Sequence, residues 1–312
     1  MFMKRKKALF LTLLMAFAAF SLDGCVKNGQ QSAQEGVTEA EAAVSDDSAG
    51  NIVNLLADYD LTDSDIEFLA NILKQHNEGN SDLGLNDEDY YKTELKLAQL
   101  GADMGNGELA LWVGEIYQGG HVDGLNEVES VRKAFEWWEK AAELGNPRGW
   151  TDIGLVYQHS RVPGGGAAYG DIEENPEKAV EYIKKADEAG DMKAPRYLGL
   201  LYEKEKNYEK ALEYFEKSAQ SGDLTSTYYS GKYYLEGIGT ETDYAKALEY
   251  LTSAAESEKV VPGVADSRYK LASMYEEGLG VEADKEKAEY WYRSAAEEGN
   301  EDAAEALKRL SA

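Results

Sequence analysis

The sequence predicts an all-α chain, a solenoid of helix-turn-helix repeats, and three observations lead there. A small residue followed three places later by Tyr returns five times, at Gly114/Tyr117, Gly154/Tyr157, Gly199/Tyr202, Gly231/Tyr234 and Ala272/Tyr275. A Lys-Ala pair follows each of these, at Lys133-Ala134, Lys178-Ala179, Lys210-Ala211, Lys246-Ala247 and Lys287-Ala288. A glycine then closes four of the five copies, at Gly145, Gly190, Gly222 and Gly299. Self-similarity at about 32–45 residues is the mark of stacked helical pairs, which more often present a binding surface than a pocket for chemistry.

Each Tyr ends a first helix and each Lys-Ala pair begins a second. Inside the second helices, large residues fall at Trp137/Trp138, Tyr182/Ile183, Tyr214/Phe215, Tyr250/Leu251 and Trp291/Tyr292. Small residues follow at Ala141/Ala142, Ala186, Ser218/Ala219, Ala254/Ala255 and Ala295/Ala296. Offsets of three or four and seven or eight share one helical face, so the large residues fill space and the small ones admit the next helix. The closing Gly suits a left-handed C-cap. Glu258 stands in its place in the fourth copy, followed by an insertion with Val260, Val261, Pro262 and Gly263, and a disturbed cap is expected there. From the glycines at 105, 145, 190 and 222 to the next small residue is nine positions each time, a fixed short turn between antiparallel neighbours. Pro147 and Pro176 sit where helices begin, a place at which a missing N–H costs nothing.

The ends need separate treatment, because an open solenoid must cover its terminal repeats with polar-faced helices. Residues 51–107 are expected to form an N-terminal helical cap with a degenerate repeat, Leu69-Ala70 and Leu73 in its first helix and Tyr91 through Gly105 in its second. Residues 108–299 hold the five clear repeats. Residues 300–312 are expected to be a C-terminal capping helix, with Ala303, Ala304, Leu307 and Leu310 on one face.

The copy from Tyr275 to Gly299 resembles the Sel1-like repeat (SLR), a relative of the tetratricopeptide repeat. Tyr275, Gly278, Gly280, Val281, Asp284, Lys287, Ala288, Trp291, Tyr292, Ala295, Ala296 and Gly299 meet that family's pattern almost residue by residue. Tyr234 to Gly239, with Asp243, Lys246 and Ala247, is nearly as good, Thr240 taking the Val position. The resemblance covers about residues 108–312. It implies a right-handed α/α solenoid that mediates protein–protein contacts, with no common catalytic residue and no cofactor. Spacing from Tyr to the Lys of Lys-Ala varies, and the first two repeats are longest, so the stretches 118–132 and 158–177 are expected to be extended loops on one edge.

The chain opens with Lys4, Arg5, Lys6 and Lys7, then an apolar run from Ala8 to Leu22, a signal-peptide layout over residues 1–24. Leu22-Asp23-Gly24-Cys25 resembles a bacterial lipobox, although Asp23 stands where a small neutral residue is usual. Lipidation of Cys25 would anchor the mature chain outside the cytoplasmic membrane; the alternative is an ordinary secretory signal. Cys25 is the single cysteine, so no disulfide can form within the chain, unlike in the cysteine-rich members of the family. Residues 25–50, rich in Gln, Ser, Ala, Glu and Asp, are expected to tether the anchor to the repeats.

The formal net charge is −27, with 59 acidic against 32 basic residues. Loss of the first 24 residues removes four basic residues and one acid, so the mature chain is more acidic still. That balance argues against nucleic acid and against docking on anionic lipid, since both repel it. No chemical motif competes with a binding role. Asp58 to Leu69 lacks the Gly and Glu of a calcium loop. His76, His121 and His159 have no ligand spacing, and Gly164-Gly165-Gly166 is not followed by the Lys-Ser/Thr of a phosphate loop.

The expected function is therefore a non-catalytic scaffold that takes a protein or peptide on its concave face, which first helices line in related solenoids. Relative to each small residue, the positions three before, one after and four after are predicted to face the groove. They are Leu111, Glu115 and Gln118; Thr151, Leu155 and Gln158; Arg196, Leu200 and Glu203; Tyr228, Lys232 and Leu235; and Tyr269, Ser273 and Glu276. Aromatic and Arg side chains on such a stripe suit recognition, although Tyr228 and Tyr269 fit helix packing equally well. Two other readings stay open: a β-lactam-binding or hydrolytic relative, and a carbohydrate-binding lipoprotein using Trp112 and Trp150.

Overall fold

The computed structural model describes residues 87–120, 122, 124–159, 172–259 and 261–310, and every regular element among them is a helix. The signal segment, Cys25, the tether, Leu69–Leu73, His76, His121 and the triple glycine at 164–166 lie outside the described residues. In order the helices are α1 (Asp87–Asp103), α2 (Gly107–Gln118), α3 (Glu127–Glu143), α4 (Arg148–His159), α5 (Pro176–Glu188), α6 (Ala194–Lys204), α7 (Tyr208–Gln220), α8 (Leu224–Glu236), α9 (Tyr244–Ala255), α10 (Val264–Glu277), α11 (Lys285–Glu297) and α12 (Glu301–Leu310). Within each of the compact units described next, neighbouring helices pack on one another, the arrangement of an all-α solenoid. The chain divides into two compact units near residue 150, the first holding α1 to α3 and the second most of α4 with α5 to α12.

One steric relation repeats through both units. A Cβ on Gly114 would lie 2.4 Å from the Trp138 ring, and one on Gly199 would lie 2.6 Å from the Phe215 ring. The same holds for Gly154 against Ile183 and for Gly231 against Leu251. The second member of each large pair is thus a knob, and the small residue on the partner helix is the hole that receives it. All these knobs, with Tyr292 in the last repeat, are buried. Ala272, the hole in that repeat, is fully buried too.

Helix starts are set by side-chain caps. Asn175, Asn207, Asp243 and Asp284 each accept a bond from a backbone N–H in the first turn of the second helix that follows. Such caps contribute about 0.5–2 kcal/mol each. The backbone N–H of the same capping residue donates to the carbonyl of the signature Tyr: Asn175 to Tyr157, Asn207 to Tyr202, Asp243 to Tyr234 and Asp284 to Tyr275, at 2.8–2.9 Å. One bond therefore closes connections of very different length. Pro176 occupies the first turn of α5, and Pro147 directly precedes α4.

The first connection differs from expectation. Asn126 and Glu129 form a reciprocal capping box, each side chain bonded to the other's backbone N–H at 3.0 Å. This starts α3 at Glu127, so the connection is only 119–126, and residues 127–132 are helix rather than loop. Likewise α4 runs to His159 and α5 begins at Pro176, which leaves 160–175 as the second connection.

The cap of the fourth repeat is indeed altered. Gly145, Gly190, Gly222 and Gly299 are left-handed, whereas Glu258 in the fourth repeat is not, so α9 lacks the left-handed closing residue. Arg268 of α10 supplies what is missing: its Nε donates to the Ala255 carbonyl at 2.9 Å and its guanidinium to the Ser257 carbonyl at 2.8 Å. The same guanidinium pairs with Glu298 at 2.5 Å. At the C-terminus α12 buries Ala303 and Ala306, with Leu307 and Leu310 half-buried beside them.

Replacing Arg268 by Ala leaves two helix-end carbonyls and Glu298 without their partner. The expected loss is about 1–3 kcal/mol in urea denaturation. Arg268→Lys should recover only part of it, since one ammonium cannot reproduce the fork.

Candidate functional site

The signature residues form a recurrent cluster at the edge of the repeats. The Tyr of the first helix lies nearly parallel to the first large residue of the second helix: Tyr157 on Tyr182 at 5.7 Å, Tyr202 on Tyr214 at 5.6 Å and Tyr234 on Tyr250 at 6.0 Å. The Lys of Lys-Ala then caps the ring, with Lys178, Lys210, Lys246 and Lys287 placed 4.8, 5.2, 4.4 and 5.0 Å from the centroids of Tyr157, Tyr202, Tyr234 and Tyr275. These rings and ammonium groups attract through the ring quadrupole. They explain why Tyr and Lys recur in step: the pair belongs to the architecture.

The predicted groove stripe divides into three groups. Leu111, Thr151, Leu155 and Gln158 are buried, which corrects the expectation that they face solvent. The hydroxyl of Thr151 donates to the Asp191 carboxylate, and Leu155 joins the main apolar cluster of the second unit.

A second group is half-buried but already engaged. Glu115 pairs with Arg148 at 3.1 Å, and Gln118 also has a partner. Arg196 pairs with Asp223 at 3.0 Å, Glu203 accepts from the Tyr233 hydroxyl at 3.0 Å, and Glu276 accepts from Tyr292 at 2.8 Å and Arg309 at 2.7 Å. Ser273 bonds to the Tyr292 hydroxyl at 3.1 Å. Most of these bonds bridge positions about one repeat apart, as does Lys270 with Glu236 at 2.6 Å. Sequence reasoning missed Asp223, Tyr233 and Arg309 as partners. The signal was available as opposite charges one period apart, Arg196/Asp223 and Glu276/Arg309.

The third group is what α6, α8 and α10 leave partly open: Leu200, Tyr228, Lys232, Leu235 and Tyr269. Tyr228 leans on Tyr229 at 5.4 Å and on the backbone of Gly263 from the insertion, so it is half recognition surface and half packing. Burial, then nearby Asp266, pushes its phenol well above the usual range. Tyr269 is tilted against Tyr292 at 5.7 Å. Lys232 is half-buried and forms no hydrogen bond or ion pair with any described residue.

Neither Trp112 nor Trp150 is freely exposed. Both are half-buried, and Trp150 lies 5.8 Å from Tyr182. No group of His, Cys, Asp and Glu able to hold a metal ion occurs among the described residues. No helix among them is long and apolar enough to cross a membrane.

The Sel1 repeat model matches residues 108–146, 165–191, 196–223, 225–258 and 265–300, more than half of the chain. The chain belongs to the Sel1 repeat family. A Sel1 repeat protein from Oxalobacter formigenes has a similar solved structure, with 26% identity, a TM-score of 0.53, and 69% of this chain matched to 82% of that one. The c5321 protective antigen of uropathogenic Escherichia coli strains displays an SLR fold, with 22% identity, a TM-score of 0.61, and 96% of this chain matched to 64% of that one. No curated protein matches the chain. Sel1 repeats form a scaffold kind of fold, generally non-catalytic, that mediates protein–protein interaction.

The tyrosine clusters make a pH prediction. Burial first raises both Tyr250 and Tyr292 to about 12, with Glu216 adding to the first and Glu276 to the second. Their folded pKa exceeds that of the unfolded chain, near 10. The unfolded state therefore loses protons first as pH rises. Their contribution to stability is complete below about pH 10 and lost between about 10 and 12. Urea midpoints measured from pH 8 to 11.5 should be flat and then fall, and Tyr292→Phe should make the fall shallower.

Proposed function

We propose that this Sel1 repeat protein is a non-catalytic scaffold of the bacterial cell envelope, held to a membrane by lipid on Cys25, that binds a protein or peptide along the first helices of its second unit. The observation that carries the reading is the half-buried stripe of Leu200, Tyr228, Lys232, Leu235 and Tyr269. Apolar side chains, aromatic rings and a cation unpaired among the described residues supply anchors on rigid helices at little ordering cost. The inter-repeat bonds around them hold the surface in shape before a partner arrives. The N-terminal basic cluster, the apolar run and the lone Cys25 support the anchor. The net charge of −27 opposes nucleic acid and anionic lipid as occupants.

Cells fed an alkyne-tagged palmitate analogue should label the wild-type protein and leave Cys25→Ser unlabelled. Labelling of the serine variant would sink the proposed anchor. Cross-linking from native membranes, with wild-type and Lys232→Glu/Leu235→Asp baits, addresses the surface. A specific protein lost with the variant supports the stripe. One retained equally by both would move the site to the connections 119–126 and 160–175.

A further inference from the structure

Donors and acceptors on the first helices of the second unit are unevenly used. The acids there are engaged: Glu203 accepts from the Tyr233 hydroxyl, Glu236 from Lys270, Glu276 from Tyr292 and Arg309, and Asp266 from the Asn300 amide at 2.9 Å. Several donors are not. Lys232 is the one half-buried Lys or Arg among the described residues with no hydrogen bond, ion pair or ring partner there. The hydroxyls of Tyr228, Tyr229 and Tyr269, on half-buried side chains as well, bond to no described residue. Tyr229 is stacked on Phe215 at 4.5 Å and Tyr228 is tilted against Tyr229 at 5.4 Å, so packing fixes both rings while their hydroxyls stay unused. Lys232 follows them by four and three residues, on the same face of α8. Burial first, then carboxylates nearby, pushes both phenols up, so each keeps a proton to donate.

A surface with its acceptors occupied and its donors free calls for a ligand that brings acceptors. We propose that Lys232, with the Tyr228 and Tyr229 hydroxyls, receives the carboxylate of a Glu or Asp side chain in an extended stretch of the partner polypeptide, where apolar residues flank it. This assignment rests on the stripe being the binding surface and names what its occupant carries. A carboxylate can accept from an ammonium and two phenols at once, and charge-assisted bonds of this kind are stronger than neutral ones. The carboxylate belongs to a side chain and not to a chain end, because the stripe continues on both sides of α8, to Leu200 on α6 and Tyr269 on α10, so the partner passes over Lys232. Leu200 and Leu235 suit its apolar residues. Glu203 and Asp266 act against the carboxylate. Both lie close enough to influence the two phenols, and their bonds come from neutral groups that leave their charge in place. One cation on that background admits a single carboxylate and disfavours a run of them.

The test titrates the full-length protein with the capped peptides Ac-Leu-Glu-Leu-NH2, Ac-Leu-Gln-Leu-NH2 and Ac-Leu-Lys-Leu-NH2, following the backbone amide signals of α8 by NMR. The Glu peptide is expected to give a saturable shift and to bind at least about fivefold more tightly than the Gln peptide. Added salt should shrink that advantage. Lys232→Met, confirmed folded by circular dichroism, should abolish it and leave the Gln peptide unaffected. Glu203→Gln, which can still accept from Tyr233, should tighten the Glu peptide, and it carries the test if Lys232→Met does not fold. Equal affinity for the Glu and Gln peptides, an advantage that survives Lys232→Met, or no gain in Glu203→Gln would overturn the carboxylate while leaving the stripe as a binding surface. Tightest binding of the Lys peptide would overturn it in favour of a basic partner. No shift on α8 with any of the peptides would overturn the carboxylate site and the stripe together.

Discussion

Everything in this chain depends on one steric fit, a large second-helix side chain seated against a first-helix residue with little or no side chain. Trp138, Ile183, Phe215, Leu251 and Tyr292 are chemically different, yet each is buried at the same place in its repeat. A Cβ opposite Trp138 or Phe215 would come within 2.6 Å of ring atoms. Real side chains do not tolerate that approach, so a larger residue would push the helices apart. The depth of this contact sets the spacing within a repeat. Every other interaction is then placed by it.

That fit leaves connection length almost free. The bond from each capping Asn or Asp to the signature Tyr carbonyl spans five residues in the third repeat and eighteen in the second. The entropy of closing a longer loop grows only slowly with its length, so insertions are tolerated once both ends are pinned. The fourth repeat shows the same tolerance at a helix end. Its closing Gly is gone, and a side chain from the following helix satisfies the exposed carbonyls instead. Backbone groups demand partners, and their source is open to substitution.

The fold was legible because its signature residues act locally. A hole, a knob, an N-cap and a left-handed Gly each follow from one side chain at one offset. The groove was less legible because exposure at a given offset depends on the neighbouring repeat. Thr151 is covered because Asp191 reaches it, whereas Lys232 at the centre of α8 stays open because Glu236 is taken by Lys270.

The excess of acid has a different place in the energetics from the stripe. Several surface ion pairs join side chains that are close to half exposed or more, such as Lys185 with Glu181 and Lys204 with Glu174, and pairs of that kind contribute little to stability. The excess of 59 acidic over 32 basic residues acts collectively instead, as a field that repels polyanions. Against that field Lys232, half-buried and unpaired among the described residues, is a local exception. Burial against apolar neighbours weakens screening by solvent, so a single positive charge there acts on its surroundings more strongly than one on an open helix face.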